Sequence, residues 1–172
     1  MNNRLAILAV IIVAGFYVFM SSIFVLTERQ QAIVLRFGEI VRVEKEPGLN
    51  FKIPTDFVET VQIIEDRVIR YELDDLRVQV KGGKFYVVDA FLTYKIVDPV
   101  RFRESVFGRI STAEDRVDTA LENALRDVYG LRDFNAALSE QRSEMMREVR
   151  DQVEPALATI GLAVVDVRVT RT

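Results

Sequence analysis

The side chains able to do chemistry in this sequence are carboxylates, hydroxyls and amines, because the chain contains neither histidine nor cysteine. These absences exclude imidazole bases, thiol nucleophiles, disulfides and the usual zinc ligands. Two adjacent carboxylate pairs, Glu65-Asp66 and Asp74-Asp75, are the candidates for acid–base work. Because neighbouring side chains diverge in strands and turns, we interpret both pairs as loop or edge charges.

The serine hydroxyls offer no clear nucleophile. They stand at expected helix ends or on polar helix faces, and the sequence around them does not form a nucleophile elbow. The serines in question are Ser105, Ser111, Ser139 and Ser143. We therefore predict no catalytic, cofactor-binding or metal-binding residues, and we place a membrane-anchored hydrolase using serine or carboxylates last among the candidate functions.

Asp89 is the single carboxylate in an otherwise apolar stretch. A charge in such a place needs a partner, so Asp89 either pairs with a nearby arginine or faces a gap between subunits. An active-site acid is the least favoured of the three interpretations. We name Asp89 as a candidate subunit contact.

An uncharged run extends from Leu5 to Leu26, and we expect it to position the rest of the chain. A helix of this length reaches roughly 33 Å, enough to cross a hydrocarbon layer about 30 Å thick. A cleavable signal peptide and a buried core helix are the alternatives, and the length of the run disfavours the first. Arg4 precedes the run while Glu28 and Arg29 follow it, a weak bias that favours a cytoplasmic N-terminus.

Residues 1–4 are then a short cytoplasmic N-terminus, residues 5–26 a transmembrane helix and residues 27–30 a linker. From Gln31 to Asp98 the sequence reads as short extended runs separated by turns at Gly38, Pro47-Gly48 and Gly82-Gly83. Two adjacent glycines tolerate the positive φ values of a tight hairpin, so strands are expected on both sides of Gly82-Gly83. The second of these strands carries large apolar residues on both faces, which predicts that both faces are covered.

Residues 99–172 predict helices and a closing strand. Asp98 and Pro99 form a helix start, and Ser111 with Glu114 fits a capping box for the next helix. A further helix is expected over 139–160, with Pro155 inside it, and the stretch LAVVDVRVTR alternates as a strand that can pair with the earlier sheet. The predicted fold class is α+β, an antiparallel sheet with packed helices after a single N-terminal transmembrane helix.

The net charge of −3 implies no polyanionic partner, so we expect no nucleic acid.

Several separated segments, in this order, resemble the stomatin, prohibitin, flotillin and HflK/HflC family, also known as the SPFH or band 7 family. They are QAIVLRFGE, PGLNFKIP, VDAFLTYKIVDPVRF, ALRDVYG, an ALSEQRSE helix and IGLAVVDVRVTR. The resemblance covers essentially the whole chain, and the ALSEQRSE region with the very short N-terminal tail is most similar to the HflC branch.

The resemblance implies a non-catalytic, membrane-anchored scaffold that forms a ring or cage with an HflK-like subunit. This large hetero-oligomer would surround and modulate an FtsH-like AAA protease at the bacterial inner membrane, with the domain in the periplasm. Family members of this branch continue into a long coiled coil, which is absent from this sequence; either the sequence is a fragment or the protein lacks that part. A stomatin-like organiser of membrane microdomains or channels is the alternative.

The segment from Pro47 to Phe57 contains apolar residues able to touch the lipid bilayer. Phe51, Ile53 and Phe57 are the candidates for this contact, and burial of the same side chains in the sheet is the competing interpretation.

Overall fold

A computed structural model describes residues 2–54, 58–132 and 142–171, with side chains from Ala6 to Thr170 within those ranges. The chain divides into two compact units, residues 1–66 and residues 67–172, hereafter the N-terminal unit and the C-terminal unit. Each is described by itself.

The described part of the N-terminal unit forms one helix and five short strands, all paired antiparallel. The elements are α1 (Asn2–Ser21), β1 (Ile23–Leu26), β2 (Gln30–Arg36), β3 (Glu39–Glu44), β4 (Gly48–Phe51) and β5 (Glu59–Glu65). Strands β1 and β4 form a two-stranded sheet, and β3, β2 and β5 form a second sheet with β2 in the centre. Residues 32–35 of this central strand are buried and form the core of this unit.

The expected helix from Leu5 to Leu26 is wrong at its C-terminal end. Helix α1 ends at Ser21, and the hydroxyl of Ser22 donates to the carbonyl of Val18, 2.8 Å away. The following four residues, IFVL, form β1 because they pair with β4, and β-branched and aromatic residues suit a strand. The uncharged run therefore contains most of α1 and the whole of β1.

The described residues of the C-terminal unit form three antiparallel strands and three helices. The elements are β6 (Ile69–Gln79), β7 (Phe85–Ile96), α2 (Pro99–Val106), α3 (Ile110–Gly130), α4 (Arg142–Ala158) and β8 (Leu162–Arg171). The strand order is β6–β7–β8, and the α+β prediction with antiparallel sheets and helices is confirmed.

The hairpin between β6 and β7 is confirmed, with Gly82 at φ 98° and Gly83 at φ 82°. The prediction that both faces of β7 are covered is wrong. Side chains alternate along β7, and those on one face, from Tyr86 to Ile96, are buried with the apolar stripes of α3 and α4. On the other face Phe85 and Val87 remain half exposed, so the helices cover one side of the sheet.

The two predicted helix starts differ in outcome. Asp98 caps α2 as expected, accepting hydrogen bonds from the amides of Val100 and Arg101 at 3.1 Å each. The capping box at Ser111 and Glu114 is wrong, because α3 begins earlier, at Ile110, with Arg109 at the N-cap position and no side-chain cap. Ser111 is already inside the helix, where its hydroxyl cannot take the capping position.

Helix α4 continues through Pro155 to Ala158; the expected start near Ser139 lies outside the described residues. The chain then turns at Gly161, whose φ is 80°. A Cβ at this position would stand 2.3 Å from the carbonyl oxygen of Asp98 and 3.0 Å from the amide nitrogen of Phe102. The carbonyl of Gly161 accepts hydrogen bonds from the amides of Val97 and Asp98, which hold these two segments close together. Only glycine therefore fits at this position.

Candidate functional site

The β1–β4 sheet presents one apolar side to solvent. The register places Ile23 opposite Phe51 and Val25 opposite Leu49, and residues directly opposite each other in an antiparallel pair point to the same side. Val25, Leu49 and Phe51 are 62%, 66% and 62% exposed. We call this surface, made of Ile23, Val25, Leu49 and Phe51 and continued by the 40% exposed Ile53, the apolar face.

The opposite side of the same sheet differs, because Leu26 there is buried in the core of the unit. The apolar face is thus the outer side of a sheet whose inner side is packed. Exposed apolar side chains clustered on one side mark a binding surface more often than single exposed residues do.

Backbone hydrogen bonds and one arginine fix the chain that carries the apolar face. The amide of Lys52 donates to the carbonyl of Ser22 at 2.8 Å, which extends the β1–β4 pairing beyond the strands. The guanidinium of Arg42 donates to the carbonyl of Phe51 and also pairs with Glu44, 3.1 Å away. Arg42 lies on β3, so the face is tied to the second sheet of the unit.

A buried carboxylate completes this attachment. The side chain of Glu59 is only 2% exposed, and one of its oxygens accepts from Arg36 at 2.7 and 3.2 Å. The other oxygen accepts from the backbone amide of Ile53 at 2.8 Å. Arg36 and Glu59 stand opposite each other in the β2–β5 register, so the sheet itself brings the two charges together.

These contacts also set the ionisation of the carboxyl group. The hydrogen bond from the Ile53 amide, followed by those from Arg36, lowers the pKa of Glu59 below its ordinary value, and burial opposes this only in part. Glu59 therefore stays negatively charged at neutral pH and holds the end of the apolar face through a charge-assisted hydrogen bond.

Helix α1 leads directly into β1. Its side chains from residue 6 to residue 20 are all exposed, including large apolar ones on every side of the helix. Across the described side chains, which begin at Ala6, no helix combines the length and the apolar character needed to cross a membrane.

The structure places the predicted membrane-contact residues unequally. Phe51 and Ile53 lie side by side on the apolar face, and neither is buried in the sheet. Phe57 lies outside the described residues. Whether any of them touches lipid stays a prediction.

Asp89 lies in the C-terminal unit. Its carboxylate accepts from the backbone amide of Asp75 at 2.9 Å, at the point where the β6–β7 register shifts between Leu73 and Leu76. Asp75 has a φ of 55°, so the carboxylate stabilises a bulge that the strand alone would not favour. No ion pair joins Asp89 to another described side chain, and its role as a subunit contact stays a prediction.

Sequence reasoning missed Glu59. Its signal was present, since the alternation of ETVQIIE places Glu59 on the same side as Val61 and Ile63. A carboxylate among apolar side chains needs a cation, and Arg36 is the last residue of the neighbouring strand. Over residues 6–54, 58–132 and 142–170, no group of three or more acidic side chains lies close enough to hold a metal ion.

The family described as SPFH domain / Band 7 family matches residues 24–172, and the chain belongs to this family.

Among curated proteins, the chain is similar to "Modulator of FtsH protease HflC" of Escherichia coli strain K12, with 32% identity over 162 residues, 90% of this chain and 48% of that protein. It is 30% identical to "Protein HflC" of Haemophilus influenzae over 176 residues, 96% of this chain and 59% of the relative. "Stomatin-1" of Caenorhabditis elegans is 27% identical over 140 residues, 81% of this chain and 40% of its own. The chain thus spans about half the length of the curated relatives it matches.

Proposed function

We propose that this chain is the membrane-attached part of a non-catalytic scaffold that modulates an FtsH-like AAA protease. Helix α1 would stand in the bilayer as a single-pass anchor, and the apolar face would rest against the adjoining lipid. In this arrangement the N-terminus is cytoplasmic and the chain that follows α1 is periplasmic, at a bacterial inner membrane.

The observation that carries the membrane part is the continuity between α1 and the apolar face. Only Ser22 separates the helix from β1, and both elements expose large apolar side chains. The 20 residues of α1 rise about 30 Å in all, and after Arg4 the helix is apolar on every side, which favours an apolar surrounding for that part. Burying Val25, Leu49 and Phe51 at about 25 cal/mol per Å² would then add to the attachment.

The membrane contact can be tested with single cysteines, because the chain has none of its own. Phe51→Cys, labelled with an environment-sensitive fluorophore in the full chain in lipid vesicles, should be quenched by spin-labelled acyl chains. Asn50→Cys is the matched control, since Asn50 is the next residue and points to the other side of β4. Equal quenching at both positions, or none at either, would contradict lipid contact by the apolar face.

The anchor and its orientation need a separate test. A cysteine placed before Arg4 should react with a membrane-impermeant maleimide only after spheroplasts are opened, whereas Glu154→Cys, exposed on α4, should react in intact spheroplasts. Reaction of both cysteines in intact spheroplasts would overturn the proposed topology.

The partner part rests on the relatives. The E. coli relative is named as a modulator of FtsH protease, and the similarity covers 90% of the present chain. By extension we propose an HflK-like subunit and an FtsH-like protease as partners in a large hetero-oligomer, with Asp89 near a subunit contact.

Extraction of the full protein into native nanodiscs, followed by identification of co-purified proteins and particle imaging, tests this assembly. An HflK-like chain and an FtsH-like protease in one large particle would support the proposal, and a monomer with neither would overturn it. Asp89→Asn should reduce the yield of the large particle relative to Asp74→Asn, an exposed carboxylate on β6.

The likeness to Stomatin-1 supports a second candidate, an organiser of membrane microdomains or channels. The same extraction separates the two functions, because an organiser of this kind would purify with channels or transporters and without the protease.

A further inference from the structure

A groove in the C-terminal unit lies between the first turns of α4 and the strand β8. Its volume is about 370 Å³, and its walls come from residues 142–150 of the helix and 166–169 of the strand. Val167 and Val169 are buried beneath it, and the walls combine the apolar Met146 with polar and charged side chains.

The charges around this groove are unbalanced. Among the described residues, four arginines line it against a single carboxylate, Asp166, in a chain whose net charge is −3. The arginines are Arg142, Arg147, Arg150 and Arg168. Arg168 pairs with Asp166 at 2.6 Å, but Arg147 and Arg150 form no ion pair with any described side chain. The groove is therefore electropositive on a chain that is acidic overall.

The strand beside the groove is a sheet edge. Among the described strands of this unit, β8 has β7 as its single hydrogen-bonded neighbour. Side chains occupy backbone groups that face the groove: the amide of Val167 donates to the carboxylate of Asp166 at 3.0 Å, and the carbonyl of Val169 accepts from Arg142 at 2.6 Å. These side chains form the hydrogen bonds that the backbone of an edge strand would otherwise form with another strand.

We propose that this groove binds an extended acidic peptide segment, which pairs with β8 as a fourth strand. The segment would replace Asp166 and Arg142 at the backbone of β8, and carboxylates at alternate positions would meet Arg147 and Arg150 of α4. A groove between a sheet edge and a helix suits this mode, because the main chain supplies hydrogen bonds and flanking side chains select the sequence. Arginine suits the selection, since its planar fork binds carboxylates through two parallel hydrogen bonds. The proposal is independent of the protease assignment.

The probe for the test is a fluorescein-labelled Val-Glu octapeptide, titrated into the full chain in non-ionic detergent. The double variant Arg147→Gln/Arg150→Gln should weaken its binding about tenfold, as expected for two partly exposed arginine–carboxylate pairs. The matched control is Arg109→Gln/Arg116→Gln, which removes two exposed arginines from outside the groove and should bind like the parent chain. Equal weakening by both double variants would overturn the proposal.

Two further measurements separate strand pairing from charge attraction. A Val-Glu peptide N-methylated at alternate residues keeps its charge but lacks main-chain donors, so it should lose most of its binding. Asp166→Asn removes from the groove a negative charge that repels the acidic peptide and weakens the hydrogen bond that occupies the amide of Val167, so binding of the unmodified peptide should become several-fold tighter. Undiminished binding of the N-methylated peptide, or weaker binding to Asp166→Asn, would show that β8 is not the docking edge.

Discussion

The two units of the chain place their apolar and charged side chains in opposite ways. The N-terminal unit exposes Val25, Leu49 and Phe51 and buries the carboxylate of Glu59. The C-terminal unit buries the apolar sides of β7, α3 and α4 and leaves most of its charges in solvent. Stability alone requires the arrangement found in the C-terminal unit. The exposed apolar side chains of the N-terminal unit instead cost stability, and contact with another apolar surface would offset this loss. The difference makes the β1–β4 sheet of the N-terminal unit the candidate functional surface.

The largest effect is expected from a backbone contact in the C-terminal unit. Gly161→Ala should lower the free energy of unfolding by about 3 kcal/mol or more, because the new Cβ meets the carbonyl of Asp98 and the φ of 80° disfavours alanine. Gly130→Ala is the control, since a Cβ there lies 3.8 Å from its nearest neighbour and the residue is helical. Urea denaturation measures the free energy of unfolding of both variants. Equal values for Gly161→Ala and Gly130→Ala would contradict the close packing of this unit around Gly161.

The second prediction concerns the buried charge of the N-terminal unit. Glu59→Gln should destabilise this unit by about 2 kcal/mol at pH 7, because it weakens hydrogen bonds to Arg36 and Ile53 that involve a charged group. Glu39→Gln, on an exposed residue of β3, should change stability little.

The same variant predicts a pH dependence. The pKa of Glu59 is lowered in the folded chain, so its contribution is complete above the ordinary glutamate pKa and is lost as the pH falls through the folded value. The difference in stability between the parent chain and Glu59→Gln should therefore be largest near neutral pH and shrink in acid. Thermal unfolding of both chains from pH 7 to pH 3 measures it. A constant difference would show that the charge of Glu59 is not what holds Ile53.

The third prediction sharpens the account of helix starts in the C-terminal unit. Asp98→Ala should cost about 1 kcal/mol, because it removes the acceptor for two amides of α2. Ser111→Ala should cost much less, since Ser111 lies inside α3 and does not cap it. A comparable loss from Ser111→Ala would restore the capping box that the structure excludes.

The smallest effect lies on the open side of the C-terminal sheet. The guanidinium of Arg70 stands 4.0 Å from the centre of the Phe91 ring, and a cation–π contact at such an exposed site is worth about 0.5 kcal/mol. A double-mutant cycle with Arg70→Gln and Phe91→Leu should return a coupling of this size. A coupling near zero would leave this side of the sheet held by its hydrogen bonds alone.

Local chemistry explains what the sequence could predict. The Gly82-Gly83 hairpin and the Asp98 cap depend on residues next to each other in the chain, and both form as expected. The end of α1 could not be predicted, because an uncharged run fits a helix or a buried strand equally well. Only pairing with β4, more than twenty residues later, makes Ile23 to Leu26 a strand.

The candidate site was predictable to a similar extent. The apolar residues of the segment that follows the Pro47-Gly48 turn indicated Phe51 and Ile53, and both are exposed. The role of Glu59 depends on Arg36, 23 residues away, and on which strands become neighbours. The groove between α4 and β8 has the same origin, since no local pattern brings residues 142–150 beside residues 166–169.

The hydrogen bonds from Arg42 to Phe51 and from Ile53 to Glu59 have a consequence for how the apolar face associates with a partner. They fix the backbone before any partner arrives, so docking requires no ordering of this segment and incurs little loss of conformational entropy. Association through the face should then be a single kinetic phase whose rate scales with the concentration of the partner surface, without a slow rearrangement after encounter.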